Sequence, residues 1–271
     1  MKATASFTTP PATRRPPAVA GLFYPADPAA LERAVAGYLA GTAPEAPTPK
    51  ALIVPHAGFV YSAPVAAGAY AALAKARGSV TRVVLIGPAH RVAFRGLALP
   101  DTDAFETPLG MVPIDRDAAA TLTRLPQVRL SEKAHRDEHA LEVQLPFLQR
   151  VLGDFTLVPL LVGDATPAEV AEVIDALWGG PETVIVISSD LSHYLDYASA
   201  RRLDARTARA IESLRPDDIG PDQACGRLPI QGLLWVAKAR GLGVTTVDLR
   251  NSGDTVGPRD RVVGYGAWLL A

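Results

Sequence analysis

A chain of 271 residues with 48% hydrophobic and 20% charged side chains and a mean hydropathy of +0.14 can bury a sizeable core. Its net charge of −1 and pI near 6.5 give no electrostatic case for nucleic acid or an anionic membrane as partner. One cysteine excludes an internal disulfide and suits a reducing cytoplasm, and no apolar run reaches the roughly 18 residues of a membrane span.

Residues 1–17 are rich in Thr, Ala and Pro without a signal-peptide core, and read as a disordered N-terminal tail; 18–271 read as one domain. A helix is expected over Pro28–Leu39, then a Pro-rich connector over Gly41–Pro49. Strands are expected at Ala51–Val54, Arg82–Ile86, Leu157–Val162, Thr183–Ile187, Val244–Asp248 and Arg261–Leu269. Between them fall helical patterns at Ala63–Arg77, Arg116–Arg124, Glu138–Leu152, Pro167–Leu177, Tyr197–Ser213 and Pro229–Arg240. The stretch from Arg91 to Asp115 breaks this alternation, with Leu97–Leu99 and Met111–Ile114 expected as a small edge hairpin. Buried strands separated by helices predict an α/β domain with a largely parallel or mixed central sheet and helices on both faces.

Polar residues gather just beyond the strands. His56 follows ALIV after Pro55, His90 follows RVVLI by four residues, and His193 lies six residues beyond TVIVI. Ligands in open α/β sheets collect outside the carboxyl ends of the strands, so the three histidines are expected to converge on one rim. Any one alone reads as a structural histidine; three at equivalent positions read as a site. Cys225 precedes an apolar helix and neighbours Arg227, a setting that favours a thiolate and hence a metal ligand. A small buried hydrophobe is the equal alternative.

His135-Arg136-Asp137-Glu138-His139 formally matches the H-x-x-E-H pattern of a zinc peptidase, but that reading leaves His56, His90, His193 and Cys225 unexplained. Helix capping and a solvated face account better for Asp137, Glu138 and Glu142. Ser188-Ser189-Asp190 with His193 lacks the glycines of a nucleophile elbow, and no phosphate-binding glycine loop occurs.

The same residues carry a family resemblance spanning nearly the whole chain after the tail. Its motifs are Val19-Ala20-Gly21-Leu22-Phe23-Tyr24-Pro25, Val54-Pro55-His56-Ala57-Gly58-Phe59-Val60-Tyr61-Ser62, Gly87-Pro88-Ala89-His90 and Phe105-Glu106-Thr107-Pro108-Leu109-Gly110. Further along come Asp137-Glu138-His139-Ala140-Leu141-Glu142-Val143-Gln144-Leu145-Pro146, Ser188-Ser189-Asp190-Leu191-Ser192-His193-Tyr194 and Cys225-Gly226-Arg227-Leu228-Pro229-Ile230. Together and in order they resemble the Memo family, the B component of the AmmeMemoRadiSam set. Arg91 and Ala63 depart from the residues usual at those positions.

The resemblance implies a fold similar to class III extradiol dioxygenases, which are non-heme iron enzymes. It implies a metal held by His56, His90 and Cys225, with Fe2+ foremost and Cu or Zn as alternatives. His193, Asp190 and His139 would line the same pocket, with His193 as acid–base, Asp190 orienting it and His139 as a second proton donor. Phe23, Tyr61 and Arg227 are expected to contact substrate, a small molecule or a peptide. The expected activity is a dioxygenase-like oxidation of an aromatic hydroxyl compound, linked to the AMMECR and radical SAM components of the set. The competing expectation is a non-catalytic metal- or peptide-binding protein, since the family's name records a part in cell-motility signalling; a zinc peptidase at His135 and His139 comes third.

Overall fold

The computed structural model describes residues 13–42 and 47–271. The chain opens with β1 (Arg14–Arg15) and α1 (Pro28–Leu39), a helix started by Pro28 and capped by Asp27, which accepts from the Ala30 amide. Next come β2 (Ala51–Val54), α2 (Phe59–Leu73) and β3 (Arg82–Pro88). The middle of the chain holds β4 (Leu97–Leu99), β5 (Ala104–Thr107), β6 (Gly110–Pro113), α3 (Arg116–Leu122), β7 (Val128–Leu130), α4 (Glu132–Arg136) and α5 (Leu145–Leu152). It continues through β8 (Thr156–Val162), α6 (Pro167–Ala176), β9 (Thr183–Ser188), β10 (His193–Leu195) and α7 (Tyr197–Glu212). It ends with α8 (Arg227–Ala239), β11 (Val244–Asn251) and β12 (Val262–Leu270).

One mixed sheet runs in the order β10-β12-β2-β9-β3-β8-β4-β7, with β11 also paired to β12. Its centre, β2-β9-β3-β8, is parallel, and β12 and β4 join it antiparallel. The central strands are apolar throughout because helices cover both faces. Strand alternation then divides the core. Leu52, Val54, Val83, Leu85, Val184 and Val186 face α1, α2 and α5, while Ile53, Val84, Ile86, Ile185 and Ile187 face α3, α6, α7 and α8. This is the expected α/β architecture, and it aims the ends of β2, β3 and β9 at one rim.

Four expectations need correction. The helix expected over Glu138–Leu152 is broken: α4 ends at Arg136, a turn carries residues 137–141, and α5 starts only at Leu145, with Pro146 in its first turn. The hairpin is formed by β5 and β6, whereas Leu97–Leu99 is a strand of the main sheet between β8 and β7. α2 begins at Phe59, four residues before the expected Ala63, and runs through Pro64 at the loss of one backbone hydrogen bond. Arg14 and Arg15 do not belong to a disordered tail, because they pair in parallel with Ala104 and Phe105; residues 1–12 of the expected tail, and 43–46 of the connector, lie outside the described residues.

Arg15 explains why the chain is anchored there. It is 1% exposed, stacks over the Phe105 ring and donates to the Glu142 carboxylate (Nη1–Oε2 2.6 Å), the His135 carbonyl (2.8 Å) and the Glu138 carbonyl. Glu142, fully buried, also accepts from the Ala18 and Val19 amides and the Tyr24 hydroxyl. Every lone pair of this buried ion pair is occupied, the condition under which such a pair is tolerated. Removing one partner strands the other charge: Arg15→Met is expected to lower unfolding free energy in urea by about 3–5 kcal/mol, and Arg15→Met/Glu142→Leu to recover much of it. A loss below about 1 kcal/mol in the single variant would show that the pair is not what anchors the segment.

Candidate metal centre

The loop after β2 delivers His56, which is 1% exposed. Its amide donates to Asp190 Oδ1 (2.7 Å) and its Nδ1 meets Ser188 Oγ (2.9 Å), at the end of β9. The Ser188 hydroxyl spends its proton on the Ala140 carbonyl (2.6 Å), so it accepts from His56 and from Gln144 Nε2 (2.8 Å). Gln144 is itself fixed, donating to the Pro55 carbonyl and accepting from the Tyr70 hydroxyl. The His56 proton therefore sits on Nδ1, and Nε2 carries a lone pair.

His90 follows β3 and is held by Glu138, whose carboxylate accepts from the His90 amide (2.6 Å) and from Nδ1 (3.0 Å). Its Nε2 is also left with a lone pair. Glu138 further accepts the amides of His139 and Ala140. Burial works to raise the Glu138 carboxyl, but the hydrogen bonds from His90 and these amides prevail and hold it down at about 2. His139 completes the group: its Nδ1 is buried without a hydrogen bond, 3.2 Å from Glu138 Oε1, and its ring lies parallel to His90 at 4.8 Å and tilted against Phe23 at 4.9 Å. Burial lowers His56 to about 3 and His139 to about 4, so both imidazoles are neutral.

His56, His90 and His139 thus bring one ligand nitrogen each to within 4.8 Å of one another. Three converging imidazoles, two of them held through Nδ1 and one of these backed by a carboxylate, are a donor set for a transition metal. Cys225 stands beside them, its Sγ 3.4 Å from His56 Nε2. Two close approaches make this possible. A Cβ on Gly87 would come within 3.0 Å of Leu141, so the turn carrying Glu138 and His139 presses directly on β3. A Cβ on Gly226 would lie 2.6 Å from Ser189, so Cys225 is drawn against the end of β9.

The sequence expectations meet this geometry unevenly. His56 and His90 converge as expected, but the third imidazole of the cluster is His139, while His193 stands exposed at the rim with Nδ1 on the Leu191 carbonyl (2.8 Å). Asp190 does not hydrogen-bond His193; it is buried beneath the site, held above the usual carboxylate range by burial, and binds the His56 amide. The helix start does not make Cys225 a thiolate: burial, then Asp190, push the thiol up to about 12, and Arg227 turns to Gln231 instead. His135 points away from the cluster, with Nε2 at the Ala98 carbonyl (2.9 Å), so the two histidines of the H-x-x-E-H match do not meet. Glu138 and Glu142 are 2% and 0% exposed, which overturns their reading as a solvated face. Tyr61 follows Gly58 at the start of α2, half-buried against the core. A cleft of about 650 Å³ reaches Cys225, walled by Pro88, Val92, Phe94, Val162 and Leu228 and carrying Arg227.

The roles of Glu138, Ser188 and Gln144 escaped the sequence reading, although all three stand inside quoted motifs, where their polarity suits a buried turn as well as a surface. The hydrogen-bond assignments can be checked directly. Long-range 1H–15N spectra of the metal-free protein should show the Nδ1–H tautomer for His56 and His90, with His56 titrating near 3 and His139 near 4. An Nε2–H pattern at His56 would contradict the network.

A family profile described as Memo-like protein matches residues 15–269. A MEMO1 family protein of Aquifex aeolicus is 37% identical over 266 residues, covering 93% of this chain and 97% of its own. One from Methanosarcina barkeri is 37% identical over 271 residues, covering 94% and 99%. Among solved structures, an uncharacterized protein from Escherichia coli K12 shares the fold at a TM-score of 0.52 and 16% identity, over 81% of this chain and 98% of that one. The protein belongs to the Memo family.

Proposed function

We propose that the chain is a metal-dependent oxidoreductase with dioxygenase-like chemistry, acting on an aromatic hydroxyl compound with ferrous iron held by His56, His90 and Cys225. The observation that carries this reading is the pair of imidazoles pinned through Nδ1 by Ser188 and Glu138, which turns two Nε2 lone pairs into one pocket beside a thiol and a third imidazole. When bound, the metal would supply a Lewis acid for a hydroxyl group and an electron donor for dioxygen.

The chain's own residues supply the remainder. The Cys225 thiol, pushed up to about 12, ionises only when a cation compensates it, so metal uptake by this site releases a proton. Glu138 fixes the His90 ring and carries the negative charge behind it. His193 donates Nδ1–H to Leu191, which leaves Nε2 to take a proton from a substrate hydroxyl at the rim. His139, with its unbonded Nδ1, is the second proton carrier. Phe23 against His139, Tyr61, and the mixed polar and apolar cleft with Arg227 form the surfaces on which a substrate lies.

Anaerobic purification with elemental analysis tests the ligand set. Wild type is expected to hold about one iron per chain, with copper and zinc the other outcomes. His56→Ala, His90→Ala and Cys225→Ser should each lose the metal, whereas His139→Ala should retain it. Retention in Cys225→Ser together with loss in His139→Ala would replace this set with three histidines. Glu138→Gln should weaken metal affinity about 10–100-fold, measured by chelator competition. A fully metallated protein that consumes no dioxygen with any phenol would instead be a metal- or peptide-binding protein.

A further inference from the structure

α7 carries an excess of positive charge, four arginines against two acids. Arg201, Arg202, Arg206 and Arg209 are all exposed. Both acids of the helix are engaged elsewhere: Asp204 is buried on the Ser192 amide, and Glu212 accepts from Thr246. Arg202, Arg206 and Arg209 recur at four and three residues, which places them on one helical face over about 10 Å. Arg259 and Arg261, just ahead of β12, extend the row: Arg259 and Arg201 lie over the Tyr197 ring at 4.5 and 5.8 Å, and Arg261 over Tyr194 at 4.5 Å.

Among the described residues none of these six guanidinium groups is in ion-pair contact with a carboxylate, although ten other arginines are. Two carboxylates lie at the helix start, Asp196 on the Ser199 amide and within electrostatic reach of Arg202, and Asp254 on the Tyr197 hydroxyl, but neither forms an ion pair with the row; Asp260 separates Arg259 and Arg261 in the chain. A groove of about 870 Å³ follows the row, with Leu195 and Leu203 half-buried in it. It begins where β10 ends, two residues from His193.

Guanidinium forks at this spacing match carboxylates repeated along one face of a helix or strand. Single-stranded nucleic acid would also need free aromatic faces for its bases; Arg259 and Arg201 lie over Tyr197, and Arg261 takes one face of Tyr194, which stays 63% exposed, so nucleic acid is kept as an outcome of the test. An anionic membrane would need several protruding apolar anchors; Tyr194 protrudes with Arg261 over its ring, but Leu195 and Leu203 in the groove are half-buried. We infer that the α7 arginine row is a docking surface for an acidic segment of another protein, which it brings to the rim of the histidine pocket.

The test uses the full chain and a fluorescein-labelled helical peptide with Glu at alternating three- and four-residue spacing, alongside its Gln counterpart. Anisotropy at low salt should show binding of the Glu peptide only, weakened at least about tenfold near 0.3 M salt. Arg202→Gln/Arg206→Gln/Arg209→Gln should weaken it at least about tenfold at low salt, with unchanged melting temperature and metal content, whereas the exposed control Arg33→Gln/Arg124→Gln/Arg129→Gln should not. Should the triple variant fail to fold, Arg206→Glu alone is scored by the same measurement. The inference is overturned by no binding, by equal binding of the Gln peptide, by equal loss in the control, or by tighter binding to oligo(U) RNA or phosphatidylserine vesicles at matched charge.

Discussion

The guanidinium of Arg15 is the interaction on which the histidine pocket depends. It reaches the carbonyls of His135 and Glu138 and the carboxylate of Glu142, and so clamps a turn that has little regular structure of its own. That turn supplies Glu138 to His90, places His139, offers the Ala140 carbonyl to Ser188 and leads into Gln144. A backbone made of short 3₁₀ and turn segments would be soft if solvated. Here a charge from the N-terminal strand holds it against β3.

The fold's contribution is simpler. Parallel strands β2, β9 and β3 end side by side, and their loops start within one crevice. Two of the loops deliver imidazoles, and the end of β9 delivers Ser188, the acceptor of His56, and the aspartate beneath, while Glu138 on the 137–141 turn accepts from His90. Apolar strands with helices on both faces fix these ends, so the site's precision comes from the core.

Strand-end reasoning found His56 and His90 because the position of a loop after a parallel strand follows from periodicity alone. It could not choose between His193 and His139, since His139 sits on a turn that a helical pattern conceals and that only a distant arginine stabilises. Glu138 and Glu142 look like surface residues in sequence because their partners, His90 and Arg15, lie 48 and 127 positions away. Position placed Cys225 near a helix start, but its protonation depends on burial and on Asp190, neither of which is local. Local patterns thus specified the scaffold, and long-range hydrogen bonds specified the chemistry.

The neutral state of Cys225 bears on how the chain withstands oxidants. Peroxides and alkylating agents attack the thiolate, and a thiol pushed up to about 12 presents almost none at neutral pH. As a protonated thiol, the chain's lone cysteine is shielded from oxidative wear without a resolving partner.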